Sequence, residues 1–225
     1  MAPLPRSFYE RDPSKVAREL LGKILVHRSK EGLTSGRIVE TEAYYGEGDP
    51  ASRASKGKTK KNEVMWGPRG ISFVYMVHGN WLFNVVAGRK GEAGAVLVRA
   101  LEPLEGTELM KRRRGVEEER ELTSGPGKLT KAMGITGLHH GKDLTDPEGD
   151  LLILPGRRVG KIASSHRIGV KKDLPQKLRF YLQGNPFVSK ALLSKAPRTK
   201  EVDGKGLLQA GLEGGSGNPS RARHE

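Results

Sequence analysis

Two β-rich runs flanking a tight-turn dipeptide leave a chain little choice, because they fold back on each other as an antiparallel pair. Ile71-Ser72-Phe73-Val74-Tyr75-Met76-Val77 and Trp81-Leu82-Phe83-Asn84-Val85-Val86 flank Gly79-Asn80 in this way. The hairpin commits its surroundings to antiparallel sheet. With Gly79 and Asn80 as the two turn residues, His78 faces Trp81 and Tyr75 faces Asn84 across the strands.

The rest of the chain is read around that hairpin. Asp12 is a good N-cap, Pro13 suits the first helical position and Gly22 can close a helix whose apolar face holds Val16, Leu20 and Leu21. Ile24-Leu25-Val26 is a strand. Arg37 to Tyr44 is a second, with Ile38, Glu40, Glu42 and Tyr44 on one face and Val39, Thr41 and Ala43 on the other. Residues 46–70 are loop-like. Further strands are expected over Ala95 to Arg99, before Pro103, over Leu151 to Leu154, and over Leu178 to Leu182. Thr107 to Arg120 and Lys128 to Met133 are expected helices. Many strands interleaved with few helices predict an α+β chain, a single mixed domain built on a mainly antiparallel curved β-sheet with surrounding helices and a protruding β-hairpin.

Charge and composition narrow the partner. The 225 residues carry 40 Lys and Arg against 26 Asp and Glu, a net charge of +14. Residues 191–225 contribute only +2 of this, contain six Gly and no aromatic residue, and read as a flexible Gly-rich basic tail. The domain is therefore expected over residues 1–190, and it carries most of the charge. Such basicity points to a polyanion, most often nucleic acid. With no Cys there is no disulfide framework, iron–sulfur cluster or thiolate zinc site. No apolar run is long enough to span a bilayer, and the N-terminal residues lack the apolar core of a signal peptide, so an intracellular, membrane-free protein is expected.

Five places could carry chemistry. Glu40 and Glu42 sit two apart on one strand face beside Tyr44; like charges so close need a cation or solvent. The plain alternative is a solvated outer face, against which Ile38 and Tyr44 argue. Arg99 ends an apolar run, and a buried Arg needs a carboxylate. His78-Gly79-Asn80-Trp81 is a hairpin tip of the kind that enters a DNA groove and parts base pairs. Tyr75 and Asn84 can offer hydroxyl and amide groups to a base. Arg53, Lys56, Lys58, Lys60, Lys61 and Arg69 form a basic loop suited to phosphate, joined by the small-residue turn Ser124-Gly125-Pro126-Gly127-Lys128 at a helix start. His139-His140 is the one pair that could suggest a metal, and it is read as facing solvent.

Taken in order, Arg37-Ile38-Val39-Glu40-Thr41-Glu42-Ala43-Tyr44, Asp49-Pro50-Ala51-Ser52, Asn62-Glu63-Val64-Met65-Trp66-Gly67-Pro68, Phe73-Val74-Tyr75, Val96 to Gly106 and Ser124 to Leu129 closely resemble the alkyladenine (3-methyladenine) DNA glycosylase family. The resemblance runs from about Phe8-Tyr9 to Phe187-Val188-Ser189. It implies a monofunctional enzyme, acting as a monomer without metal or cofactor, that excises damaged purines from double-stranded DNA. The lesions it implies are 3-methyladenine and 7-methylguanine, with hypoxanthine and ethenoadenine as further candidates. Glu42 matches the family's general base, and Arg99 and the backbone carbonyl of Ile168 match groups that hold the attacking water. Tyr44 and Tyr75 match the aromatics enclosing the flipped base, and Asn84 the Asn that rejects normal guanine. His78 lies where the family has an intercalating Tyr. Arg53 stands where the family usually has a His, and the hairpin is one residue shorter than usual.

Two other readings stand beside this one. A catalytically silent protein that binds nucleic acid or damage would share the charge but have no need of Glu42 and Arg99. A helix-hairpin-helix glycosylase would use Leu154 to Ala163 and a catalytic Asp173, although Arg157-Arg158 interrupts that hairpin.

Overall fold

The computed structural model describes residues 1–157 and 159–190; the expected tail, 191–225, lies outside the described residues. In chain order the elements are α1 (Arg6–Tyr9), α2 (Pro13–Leu20), β1 (Ile24–Ser29), β2 (Gly32–Tyr44), β3 (Ser72–Val77), β4 (Asn80–Val86), β5 (Ala95–Glu105), α3 (Thr107–Arg114), α4 (Pro126–Met133), β6 (Leu151–Leu154), β7 (Ile162–Ser165) and β8 (Arg179–Leu182). Single turns of 3-10 helix occur at Glu63–Trp66, Glu119–Glu121 and Gly137–His139. The result is the expected α+β arrangement.

One sheet organises the molecule. Its main path is β3-β4-β5-β2-β1-β6, and the β7–β8 ribbon joins it where β8 pairs with β2. Every pairing among the described residues is antiparallel. β2 is the long central strand, with β5 along one side and β1 followed by β8 along the other. The core gathers α2, α4 and the inner sheet face, with Val16, Leu20, Phe83, Val98, Leu101 and Met133 all buried. A smaller cluster of Ala54, Met65, Phe73, Val86, Ala93 and Ala95 anchors the basic loop.

The capping chemistry of α2 is as the sequence implies: Asp12 accepts from the Ser14 and Lys15 N–H groups, Pro13 opens the helix, and Gly22 follows it at φ 85°. The hairpin forms, but its turn sits one residue earlier than expected. His78 (φ 47°) and Gly79 (φ 76°) are the central pair, as a type I′ turn requires. Tyr75 therefore faces Leu82, and Asn84 faces Phe73. The shift moves each partner by two residues, so Tyr75 and Asn84 keep a common face as diagonal neighbours.

Three other expectations are corrected. β5 continues through Pro103 to Glu105, because β4 pairs only with its first residues and Pro103 has no β4 partner there. α3 stops at Arg114, where Gly115 takes φ 68° and caps it. Among the described residues from Leu154 to Ala163, β6 ends at Leu154, β7 begins at Ile162 and no helix is present, against the helix-hairpin-helix reading.

Candidate active site

The central strand is irregular where chemistry would need it. Ile38 pairs with Leu101, Glu40 with Ala100 and Thr41 with Val98, so Val39 and Arg99 are each left without a direct partner. These compensating bulges flank the Glu40–Ala100 pair, one on each strand, and Arg99 turns to the face that bears both carboxylates. Its Nε donates to Glu40 Oε1 at 2.9 Å and its Nη1 to Glu42 Oε2 at 3.2 Å. Glu40 and Glu42 are both fully buried. The solvated-face reading is thereby excluded.

The two carboxylates play different parts. Glu40 also accepts from Arg179 Nε at 2.7 Å and from the backbone and hydroxyl of Ser189 at 2.7 and 2.8 Å. Those donors satisfy both oxygens, so Glu40 is a structural anion that ties β5, β8 and the end of the domain to β2. Glu42 takes its donors from residues lining a cleft. Tyr44 Oη donates to Oε2 at 2.8 Å, and the Ile168 backbone N–H donates to Oε1 at 2.8 Å. Burial pushes the Glu42 carboxyl above the ordinary glutamate range, outweighing the opposing pull of Arg99, Ile168 and Tyr44.

Above Glu42 lies a cleft of about 650 Å³, lined by Tyr44, Arg53, Tyr75, Arg99 and Ile168 and closed on one side by the Gly125–Lys128 turn. Tyr44 is held from behind by Arg167, 4.5 Å over its ring. Arg167 is locked by a two-pronged pair with Asp49 at 2.6 and 2.7 Å and by Asp173 at 2.6 Å. Tyr75 carries Arg53 over its ring at 4.6 Å. Burial raises the Tyr75 hydroxyl's pKa, opposed by the nearby Arg53 and Asn84. Asn84 is buried, with its amide donating to Phe73 O at 3.0 Å.

Residues 7–186 match the methylpurine-DNA glycosylase family. The chain belongs to that family. It is 48% identical over 193 residues to a protein of Methanoculleus marisnigri, covering 83% of this chain and 98% of the relative. It is 49% identical over 192 residues to one of Carboxydothermus hydrogenoformans, covering 83% and 98%. A Chlorobaculum tepidum protein is 43% identical over 212 residues, covering 92% and 99%. Each relative bears the name "Putative 3-methyladenine DNA glycosylase". Membership places the chain among DNA glycosylases, hydrolases of N-glycosyl bonds.

Seen as a glycosylase, the chain brings most of its expected residues to one place. Glu42, Arg99, Ile168, Tyr44, Tyr75, Asn84 and Arg53 gather at or beside the cleft, and His78 stands exposed at the hairpin tip on the cleft rim. Trp81, also weighed for the tip, packs instead against the body, where a Cβ on Gly137 would lie 2.7 Å from its ring. Gly127 admits the hairpin in the same way, since its missing Cβ would meet Asn80 at 2.8 Å. At Ile168 the observed contact is through the N–H rather than the carbonyl. Lys56, Lys58, Lys60 and Lys61 are exposed on their loop. Ser124 and Gly125 flank the start of α4, and Lys128 pairs with Glu121.

Arg69 departs from the phosphate-binding expectation. It is 3% exposed, and its guanidinium donates to the carbonyls of Met65, Gly67, Gly88, Arg89 and Glu92. It fastens the basic loop from below. His139 is also not in solvent: its Nε2 meets His27 Nε2 at 2.9 Å inside the protein. Among the described residues no group of three or more possible ligands surrounds this or any other point. Asp173 serves Arg167 and Leu174 N–H, and is not among the groups lining the cleft. Arg167, Arg179, Ser189 and Asp49 are supporting residues whose roles sequence reasoning missed; each acts across a long sequence gap, although Asp49, Arg179 and Ser189 fall in stretches that carry the family resemblance.

Proposed function

We propose that this glycosylase turns a damaged purine nucleotide out of double-stranded DNA and hydrolyses its N-glycosidic bond, leaving an abasic site. A base inside a duplex hides that bond, so extrusion precedes chemistry. His78, at the tip of a rigid hairpin, fills the gap left in the stack. The base enters between Tyr44 and Tyr75, and the lysines of the 56–61 loop hold the flanking phosphates. The purine lesions in question include 3-methyladenine, the base named for the relatives, and 7-methylguanine. One protein molecule acts on one lesion.

In the hydrolytic step the C1′–N bond breaks with its electron pair passing to the base. A water oxygen bonds to C1′, and its proton passes to Glu42. Arg99 and the Ile168 carbonyl orient that water, and the Glu42 anion stabilises the positive charge that develops on the sugar. The single observation carrying this reading is Glu42 itself: a fully buried carboxylate whose donors are Arg99, Tyr44 and Ile168, all of which line the cleft.

Release of free base from duplexes carrying 3-methyladenine or 7-methylguanine tests it. The intact protein should release base; Glu42→Gln should bind the same duplex and release at least ~100-fold more slowly. Salt-sensitive binding without any release would leave a damage-binding protein instead.

A further inference from the structure

Each of the two tyrosines expected to enclose an extruded base carries an arginine over its ring, Arg167 behind Tyr44 and outside the cleft lining, Arg53 over Tyr75 and in the lining. Arg167 lies 4.5 Å from the Tyr44 ring centroid and Arg53 lies 4.6 Å from that of Tyr75. The two cations are not equivalent. The Arg167 side chain is fully buried, and its charge is met by Asp49 and Asp173, each at 2.6 Å. Arg99, the third arginine at the cleft, is likewise met by Glu40 and Glu42. Arg53 is exposed and, among the described residues, makes no ion pair. The uncompensated positive charge of the pocket therefore sits on the face of Tyr75.

Resting on the reading of this cleft as a base-excision pocket, we infer that Arg53 sorts purines by charge, disfavouring bases with a fixed positive charge and favouring neutral purines with acceptors on the O6 and N7 edge. A tyrosine face attracts one cation, and the first repels a second. A purine nucleotide alkylated at N3 or N7 enters as a cation. It must either lie beside the guanidinium or drive it off the ring. The way behind leads into a neighbouring cleft of about 800 Å³ whose lining includes Lys56, Lys60 and Lys61, so retreat brings like charges together. A neutral purine can lie against the guanidinium without charge repulsion, so Arg53 need not retreat. Arg only donates hydrogen bonds, and its planar fork matches two acceptors on a purine edge.

The test is single-turnover base release from two duplexes, one carrying hypoxanthine and one carrying 7-methylguanine, with the wild-type chain, Arg53→Gln and Arg53→Lys. Gln keeps length and polarity without the charge; Lys keeps the charge. Arg53→Gln should shift the ratio of the two rates toward 7-methylguanine by about tenfold or more, and Arg53→Lys should shift it much less. Because Arg53 is exposed, neither variant endangers the fold, and unchanged thermal melting checks this. An unchanged ratio in Arg53→Gln, or equal shifts in the two variants, would overturn charge sorting while leaving the glycosylase reading intact. Release of neither base by the wild-type chain, nor of 3-methyladenine, would overturn both.

Discussion

Glu42 and Ile168 stand 126 positions apart in the chain, yet the Ile168 N–H donates to Glu42 Oε1 at 2.8 Å. That bond closes the loop before β8 over the central strand and fixes one oxygen of the carboxylate. The other oxygen is left to Tyr44 and Arg99.

The Tyr44 hydroxyl should therefore tune the acidity of Glu42. Its hydrogen bond favours the anion, so Tyr44→Phe should raise a carboxyl that burial has already raised. A base must be ionised to work. The acidic limb of the pH–rate profile should lie above the usual glutamate range in the wild type and move to higher pH in Tyr44→Phe. An acidic limb that stays where it was would show that Tyr44 does not act through Glu42.

Arg69 and Lys60 should separate stability from DNA binding. Arg69 is buried among carbonyls, so Arg69→Ala should cost about 2–4 kcal/mol of stability and leave the salt dependence of binding unaltered. Lys60→Ala should leave melting unchanged, weaken binding to all duplexes alike and lower the slope of log K against log salt by about 1. Paired melting and salt titrations measure both.

The His27–His139 contact should make stability depend on pH. The Thr136 N–H donates to His139 Nδ1, so His139 Nε2 carries the proton that it gives to His27 Nε2, and His27 Nδ1 donates to Met133 O at 2.6 Å. Accepting from Thr136 requires His139 to be neutral. Burial and the neighbouring His27 hold His139 below its ordinary value, with Lys142 adding to this and Asp150 opposing it. In the unfolded chain His139 binds a proton near pH 6.5. Between that value and the lower folded one the unfolded state holds more protons, so stability rises with pH there. It should be complete above about pH 6.5 and decline as the pH falls below that value. His139→Gln should flatten melting temperature across that window; an equally steep fall in the variant would assign the effect elsewhere.

His78 should matter for duplex and not for single strands. Truncation to Ala removes the side chain proposed to fill the stack. Binding to a lesion-bearing duplex should weaken by about tenfold, with single-strand binding changed far less. Equal losses in a fluorescence titration would count against insertion.

The sequence reported local facts well and distant ones poorly. Asp12-Pro13 and Gly22 marked α2 because capping is decided within a turn. The hairpin was legible from its two β-rich runs, but its register was not: both His78-Gly79 and Gly79-Asn80 can supply a turn, and only the flanking pairings choose between them. Glu42 was identifiable by resemblance and by strand alternation. The burial of Glu40 was not legible, because its partner Arg179 comes from 139 residues away and its Ser189 donors from 149. Arg69 misled for a related reason: in a basic loop it looks like its neighbours, and only the carbonyls that converge on it from two chain segments, 65–67 and 88–92, reveal that it points inward.

The order of strands has one more consequence. The hairpin β3–β4 and the strand carrying Glu42 are rungs of one hydrogen-bonded ladder, coupled through β5 by Asn84 beside Leu97 and Leu97 beside Glu42. The distance from His78 to the carboxylate is thus set like the spacing of marks on a ruler. Two further residue pairs in the hairpin would preserve which side chains face the cleft and still carry the tip about 7 Å outward. The spacing between tip and carboxylate is thus written into the sheet rather than into any flexible arm.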